Sequence, residues 1–494
     1  MICSRKIFDI FAQREYLNAM EQKLIGRQYE WELLDDVMKS NESEMVIVYG
    51  RRRVGKTYLV NRYFDNSYAF KHTGVFNKST DTQLERFAAS LEDYSGEAVV
   101  TPGNWYKAFD MLKAYLRSVK AERKVVFIDE MPWLDTEDSD FVSALESFWN
   151  GWASAEDNIV LIACGSATSW MTDKLLGDQG GLFNRSATRI FIRPFNLKET
   201  EEYLKSHGFE LTRYDIAECY MIMGGIPFYL KQMNPRLTLS QNIDMIFFKE
   251  KGLLWDEFDR LYSTLFKKTD TYIAVVEALS RKRMGMTRKE IVKETGVSDN
   301  GAFGKIIKSL VDNEFIRPYN FFGNKKRDTI YQLADFYTMF YFSYIKDNYG
   351  RDEHFWTNSV DLPLRRSWAG YTFEQLCLHH LDQIRRGIGI SAVQCESSAW
   401  FSKGDGGNRR GAQIDLLIDR RDRVINICEM KYSINEFTID KDYDQSLRNK
   451  IQVFRDESET KKALHLTMIT TYGVKKNMYS NSVQSHVVLD DLFV

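Results

Sequence analysis

Apolar residues change their spacing several times along this chain, and each change marks an element. Residues 1 to about 44 read mostly as helix, with Tyr29, Leu33, Leu34 and Val37 supplying an apolar face. The run Met45-Val46-Ile47-Val48-Tyr49 is unbroken by polar residues and predicts a short buried strand. A helix is expected from about Thr57 to Phe64, and Ser67-Tyr68-Ala69-Phe70 is a candidate second strand. Helical spacing returns over 81–93, through Leu84, Phe87 and Leu91, and over 105–118, through Phe109, Leu112 and Leu116. Three more apolar runs follow as strands: Val125–Ile128, Ile159–Ala163 and Ile190–Ile192. From about 196 to 265 the pattern is helical, broken at Gly224-Gly225-Ile226-Pro227.

The second half has a different rhythm. Helical stretches at Tyr272–Leu279, Arg288–Thr295 and Asn300–Leu310 are separated by short polar breaks. Two alternating runs, Phe315–Phe322 and Thr329–Leu333, then flank Gly323-Asn324-Lys325-Lys326-Arg327. Three helices and a basic hairpin predict a winged helix. Residues 336 to about 364, rich in Tyr and Phe, read as a packed connector. The last part, 365–494, holds a helix at Phe373–His380 and two strands, Gln413–Ile418 and Val424–Lys431, joined by the turn Arg420-Arg421-Asp422-Arg423.

These elements predict an α/β protein in five parts. Residues 1–195 form a core with a parallel sheet, 196–265 a helical lid, 266–335 the winged helix and 336–364 the connector. Residues 365–494 form a C-terminal α/β domain. At 494 residues the chain exceeds one core. Its net charge of −2 provides no global attraction to nucleic acid or membrane, so such contacts must be local. Six scattered cysteines without a Cys-x-x-Cys pair argue against a disulfide frame or structural zinc, and fit a reducing compartment. The first residues do not pattern as a signal peptide, and no apolar run approaches the roughly 20 residues that span a bilayer. A cytoplasmic protein without membrane contact is expected.

The first chemical signal is Gly50-Arg51-Arg52-Arg53-Val54-Gly55-Lys56-Thr57, a G-x-x-x-x-G-K-T run between a strand and a helix. Gly50 and Gly55 let the backbone curl so that its N–H groups face phosphates. Lys56 would reach the β- and γ-phosphates, and Thr57 would ligate the bridging Mg²⁺. Arg51, Arg52, Arg53, Val54 and Tyr58 complete the expected nucleotide contacts, with ATP and Mg²⁺ as cofactors. The strand ending in Asp129-Glu130 supplies the complementary carboxylates. Asp129 would hold the metal and Glu130 would orient the attacking water. Ser166, at the end of the strand Ile159–Ala163, is a sensor candidate; an ordinary Gly-Ser turn is the other reading. Arg185 or Arg189 would neutralise developing phosphate charge, in cis or from a neighbouring subunit; both also read as surface arginines.

GRRRVGKT, VVFIDE, GSATSWM, NRSATRIFIRPF and GGIPFYL, in this order, resemble the archaeal-type ATPase family of the AAA+/STAND-like P-loop NTPases. The resemblance covers roughly residues 20–265. It implies ATP as the nucleotide and a conformational switch or motor as the output.

A second constellation lies near the C-terminus. Glu429 and Lys431 share a strand face. If Asp415 faces them across the hairpin, two carboxylates and a lysine converge, as metal-assisted phosphodiester hydrolysis requires. Glu374 would complete the metal shell, and Gln445 or Lys450 would face the site. This resembles the PD-(D/E)XK nuclease family, with Asp415 at the first acidic position, Glu429-x-Lys431 at the second, and Ile414 in place of the family's Pro. The resemblance implies a restriction-endonuclease-like fold and Mg²⁺-dependent cleavage of DNA. In the winged helix, Lys305, Lys308, Lys325, Lys326 and Arg327 offer phosphate contacts, or serve as solvated lysines on an interdomain spacer. Three readings are therefore open. One is an ATPase controlling a nuclease. Another is an ATP-driven switch whose inactive nuclease-like domain binds DNA, a protein partner or a second copy. The last is a winged-helix regulator of transcription.

Overall fold

The computed structural model describes residues 24–177, 187–266, 269–323, 329–348, 351–404 and 410–494. Arg185, the basic segment Lys325–Arg327 and the expected helix before residue 24 lie outside the described residues. The chain divides into two compact units at Pro194/Phe195.

The first unit is built on a parallel five-stranded sheet. Its strands are β1 (Glu44–Tyr49), β2 (Phe70–Thr73), β3 (Lys124–Asp129), β4 (Ile159–Gly165) and β5 (Ala187–Phe191), in the order β2-β3-β4-β1-β5. Central strands of a parallel sheet are covered on both faces, so they need continuous apolar runs. Val46, Ile47 and Val48 of β1 and Val160, Leu161 and Ile162 of β4 are fully buried. The register Tyr49↔Gly165 brings the ends of β1 and β4 level, with β3 on the far side of β4. Helices α1 (Gln28–Lys39), α2 (Lys56–Tyr63), α3 (Thr80–Ser95), α4 (Trp105–Ser118) and α5 (Phe141–Gly151) accompany the sheet. Asn104 caps α4 by accepting from the Lys107 N–H, and α4 begins and ends where periodicity places it. Trp105 and Phe109 of α4 pack against Phe141 of α5, with ring centroids 4.9 and 6.0 Å apart.

Three expectations need adjustment. The second strand lies at 70–73, not 67–70: Phe70 and His72 point inward and are buried, and His72 Nδ1 lies 2.9 Å from Ser90 Oγ. A buried histidine supplies no apolar signal, so the sequence cue stopped short. The fifth strand starts earlier than Ile190, because Ala187, Thr188 and Arg189 pair with Met45, Val46 and Ile47. Tyr29 is 70% exposed, whereas Leu34 and Val37 carry the buried face of α1.

The second unit begins with helices α6 (Leu197–Ser206) and α7 (Arg213–Met223). The expected helical stretch 196–265 belongs to it, and so do the aromatics of 336–364: Trp356 packs edge-on against Trp368 with centroids 5.6 Å apart. Helices α8 (Thr269–Arg281), α9 (Arg288–Thr295) and α10 (Gly301–Asp312) accompany an antiparallel sheet. That sheet contains β6 (Met286–Thr287), β7 (Ile316–Tyr319) and β8 (Ile330–Leu333), ordered β6-β8-β7. The long helix α11 (Pro363–His379) starts ten residues before the expected one. A mixed sheet follows, ordered β13-β12-β11-β10-β9, from β9 (Cys395–Gly404), β10 (Arg410–Arg420), β11 (Val424–Lys431), β12 (Ala463–Thr470) and β13 (Ser485–Val488). β9, β10 and β11 run antiparallel in turn, while β12 and β13 add in parallel after helix α12 (Lys441–Ser458). The two sheets are joined by backbone: the Phe322 N–H donates to Ala399 O at 2.8 Å, and the Ala399 N–H to Asn320 O at 3.1 Å. Among the described residues no helix is long and apolar enough to cross a membrane.

The break after α7 is a close backbone approach. Gly225 has φ +65°, and a Cβ there would sit 2.1 Å from Phe195 O. Gly208 has φ +80° but open space around it. Gly225→Ala is therefore expected to lower the thermal midpoint by several degrees more than Gly208→Ala, as a cost of about 1–3 kcal/mol beyond shared strain would do. Equal shifts in calorimetry would remove the clash as the reason.

Candidate functional site

Two sites emerge, one in each unit. In the first, β1 runs into the P-loop at Gly50, whose φ of +141° and missing Cβ let Ile192 O approach to a distance where a side chain could not fit (2.3 Å to an added Cβ). Arg53 and Gly55 also take positive φ, 72° and 96°, curling the loop before α2. Lys56 is 6% exposed, and its Nζ donates to Gly50 O at 2.9 Å and to Arg51 O at 2.8 Å. Burial pulls the Lys56 pKa down, opposed chiefly by charge interactions with Cys164, Glu130 and Asp129. Thr57 Oγ1 donates to Asp129 Oδ2 at 2.8 Å. Both are hard oxygen donors at one point, the donor type Mg²⁺ takes. The Glu130 N–H caps Asp129 Oδ1 at 2.9 Å. Glu130 itself adopts φ +46°, a strained conformation at the mouth of the strand.

Ser166 lies at the end of β4 and is buried; its Oγ donates to Glu130 Oε2 at 2.9 Å, and its N–H reaches the same oxygen at 3.3 Å. Arg51 and Val54 are buried in the loop, and the charge of Arg52 acts on Lys56. Tyr58 is 63% exposed at the start of α2. Arg189 stands within β5 opposite Ile47, with its side chain exposed. Sequence reading missed Arg27, whose Nη2 donates to Val54 O at 3.3 Å and Arg193 O at 2.6 Å. Nothing in the local pattern around Gly26-Arg27 marks that reach.

In the second unit, Asp415, Glu429, Lys431 and Lys450 converge. The β10–β9 register slips between Ile414 and Leu417, a bulge that puts one extra residue on β10 at Asp415. Bulges re-aim side chains in this way beside functional sites. Glu429 is 8% exposed and accepts from Lys450 Nζ at 2.7 Å, Tyr443 Oη at 2.6 Å and Lys431 Nζ at 3.1 Å. Tyr443 and Lys450 lie seven residues apart on α12 and so share one face. Asp440 caps that helix, accepting from the Tyr443 N–H at 2.8 Å. Burial alone would push the Glu429 carboxyl up, but Lys450 and Lys431 outweigh it and hold it below its ordinary value. Asp415 is raised by burial and by Glu429, even though Gln413 Nε2 donates to its Oδ1. Glu374, on α11, is raised to about 8 by burial and then by the neighbouring Asp415 charge.

Among the described residues no group of three His, Cys, Asp or Glu side chains is placed to hold a metal ion. Glu374 feels the charges of Asp415 and Glu429, and both Lys431 and Lys450 bond Glu429. Of the two α12 candidates, Lys450 faces the site, whereas Gln445 is exposed and carries no described bond to it. Tyr443 and Gln413 were missed; Tyr443 sits at seven-residue spacing from Lys450, which would have found it.

Residues 24–233 match the model of an ATPase domain found predominantly in Archaea. Over these residues the chain is similar to that archaeal-type ATPase domain. The match takes in the P-loop, Asp129-Glu130 and the Gly224-Gly225 break, and ends short of the expected 265. An uncharacterized protein of Methanocaldococcus jannaschii is 24% identical over 443 residues, covering 88% of this chain and 93% of that one. An uncharacterized ATP-binding protein of the same organism is 36% identical over 52 residues, 10% of this chain and 86% of that one. Among solved structures, the Walker-type ATPase of Pyrococcus abyssi aligns with TM-score 0.46 and 14% identity over 65% of this chain and 96% of that chain. The ORC2 protein of Aeropyrum pernix, solved as ADPNP–ADP complexes, aligns with TM-score 0.41 and 12% identity, covering 66% and 94%.

The raised Glu374 carboxyl has a signed consequence. Its folded pKa of about 8 exceeds its ordinary 4.5, so the folded state keeps a proton that the unfolded chain has lost between those values. Its contribution is present below about 4.5 and is lost as pH rises to about 8. Without divalent metal, the melting temperature of wild type is expected to fall relative to Glu374→Gln over that window and to run parallel above it. Parallel curves throughout would show that Glu374 is ionised as usual.

Proposed function

We propose that this protein binds and hydrolyses ATP, and that its nucleotide state controls a metal-dependent, PD-(D/E)XK-like nuclease domain acting on DNA. The hydrolytic half of this reading is supported by the ATPase-domain match and by the Thr57–Asp129 and Ser166–Glu130 pairs. Lys56, released from the carbonyls of Gly50 and Arg51, would bond the nucleotide's terminal phosphates. Glu130 would hold the attacking water, with Ser166 reporting on its position. Thr57 and Asp129 would hold Mg²⁺, which neutralises charge on the β- and γ-phosphates.

The nuclease half rests on one observation: Asp415, Glu429 and Lys431 meet at a buried bulge, with Lys450 beside them. Asp415 and Glu429 would hold Mg²⁺, whose chemistry there is activation of water and stabilisation of the phosphorane. Lys431 would then be freed from Glu429 to orient that water. The winged-helix-like segment 266–335 would bring DNA to the site through Lys305, which is exposed on α10, while Lys308 is drawn to Asp312 at 2.7 Å. A second reading is favoured by the same carboxylate. Glu429 is already neutralised by two lysines and a tyrosine, an arrangement that also suits an inactive domain used to bind DNA, a protein partner or a second copy.

Lys56→Ala is expected to abolish ATP binding in calorimetric titration. Glu130→Gln should keep binding and lower hydrolysis by ~10²–10⁴-fold. An active Glu130→Gln would remove that residue from catalysis. For the nuclease, linear and circular DNA with Mg²⁺ or Mn²⁺, with and without ATP, should be cut by wild type and ~10²–10³-fold more slowly by Lys431→Ala. Lys56→Ala should lose the ATP dependence of cutting. No cutting by wild type under any condition would leave the switch as the reading to pursue.

A further inference from the structure

Beside the carboxylates of the second unit lies a cavity of about 360 Å³, within the range of about 300–1,000 Å³ typical of ligand sites. Asp415 and Glu374 line one end. Tyr371, Trp400 and Phe321 contribute aromatic rings, and Gln332, Gln375 and Gln413 contribute amides. Arg283 and Arg366 stand at its exposed edge. Arg283 stacks over Tyr371, 5.1 Å from the ring centroid, and donates to Ser367 Oγ at 3.1 Å. Behind the glutamines, Arg317 Nη2 donates to Gln375 and Gln332, and its buried Nε finds no partner among the described residues.

Gly370 is the telling residue. It sits inside the 17-residue helix α11, where glycine costs about 1 kcal/mol against alanine. It lines the cavity, and a Cβ there would meet nothing within 4 Å. The helix therefore forgoes a side chain where the protein has nothing to fill the space. The walls come from two places: Arg283, Met284, Gln332 and Phe321 from the three-stranded sheet and its approaches, the rest from α11, β9 and β10. Backbone pairing of Asn320 and Phe322 with Ala399 keeps them together.

We infer that this cavity receives one unpaired nucleotide of a DNA strand, its base against the aromatic wall and glutamines and its phosphate on Arg283 and Arg366, with the next phosphodiester at Asp415. This rests on the nuclease reading and narrows its substrate to DNA that offers an unpaired nucleotide, in a single strand, at an overhang or in a melted stretch of linear or circular duplex. Stacking on aromatic rings is sequence-tolerant, and a planar guanidinium suits a phosphate. The occupant is thereby discriminated by pairing state, not by base sequence.

Full-length Lys431→Ala protein without divalent metal separates binding from cutting. Its affinity for three fluorescent DNAs is read by anisotropy: a single strand, a duplex with a one-nucleotide overhang, and a blunt duplex. The single strand and the overhang are expected to bind at least tenfold tighter than the blunt duplex. Gly370→Phe, which fills the cavity, and the pair Arg283→Ala with Arg366→Ala should each reduce all three to the blunt-duplex value. Circular dichroism and Gly370→Ala control for folding, and the arginine pair carries the test if Gly370→Phe misfolds. Equal affinity for the three DNAs, or a preference that survives both changes, overturns the inference, as does absence of binding to any of them. Preference for unpaired DNA in a wild type that never cuts upholds the pocket and sinks the nuclease reading; cutting with no preference does the reverse.

Discussion

Glu429 carries a charge that its surroundings cannot hold alone. An ionised carboxylate removed from water costs several kcal/mol unless opposite charge and hydrogen bonds replace the solvent. Lys450, Lys431 and the Tyr443 hydroxyl meet that demand from two different elements, β11 and α12. The C-terminal sheet and its helix are thereby held to one relative placement. A shift of α12 by a single residue would carry Tyr443 and Lys450 off the shared face and strand the carboxylate. The same corner holds the bulge at Asp415 and Glu374, whose carboxyl is raised first by burial and then by the Asp415 charge.

The nucleotide site obeys a related economy of contacts. Each of its carboxylates is already oriented by a donor: Thr57 and a backbone N–H on Asp129, Ser166 on Glu130. Orientation before ligand arrival reduces what must be ordered when the phosphates enter. The lysine is the exception, since Lys56 bonds the loop's own carbonyls and must exchange them for phosphate oxygens. A lysine kept buried by its own loop tends to lose its proton, and the charge interactions with Asp129 and Glu130 work against that loss.

Much of this was legible because it is local. The P-loop spacing, the apolar strands and the helix spanning Trp105–Ser118 depend on neighbours a few residues away, and periodicity reports those directly. The second strand slipped by three residues because its inward position is a histidine, which contributes nothing to an apolar pattern. Asp415, Glu429 and Lys431 were legible as a set, since a hairpin brings them near one another in sequence as in space. Tyr443, Arg27 and Gly370 were not. Their roles arise from a helix laid across a sheet, a side chain reaching 166 residues along the chain, and a cavity shared by two sheets.

Arg27 links two places that lie far apart in the sequence. One of its bonds holds Val54 in the phosphate loop, and the other holds Arg193, the residue before Pro194, where the first unit ends. The guanidinium is a tie rod: it fastens the phosphate loop directly to the stretch of chain that leaves the first unit, through two carbonyls and without passing through the sheet.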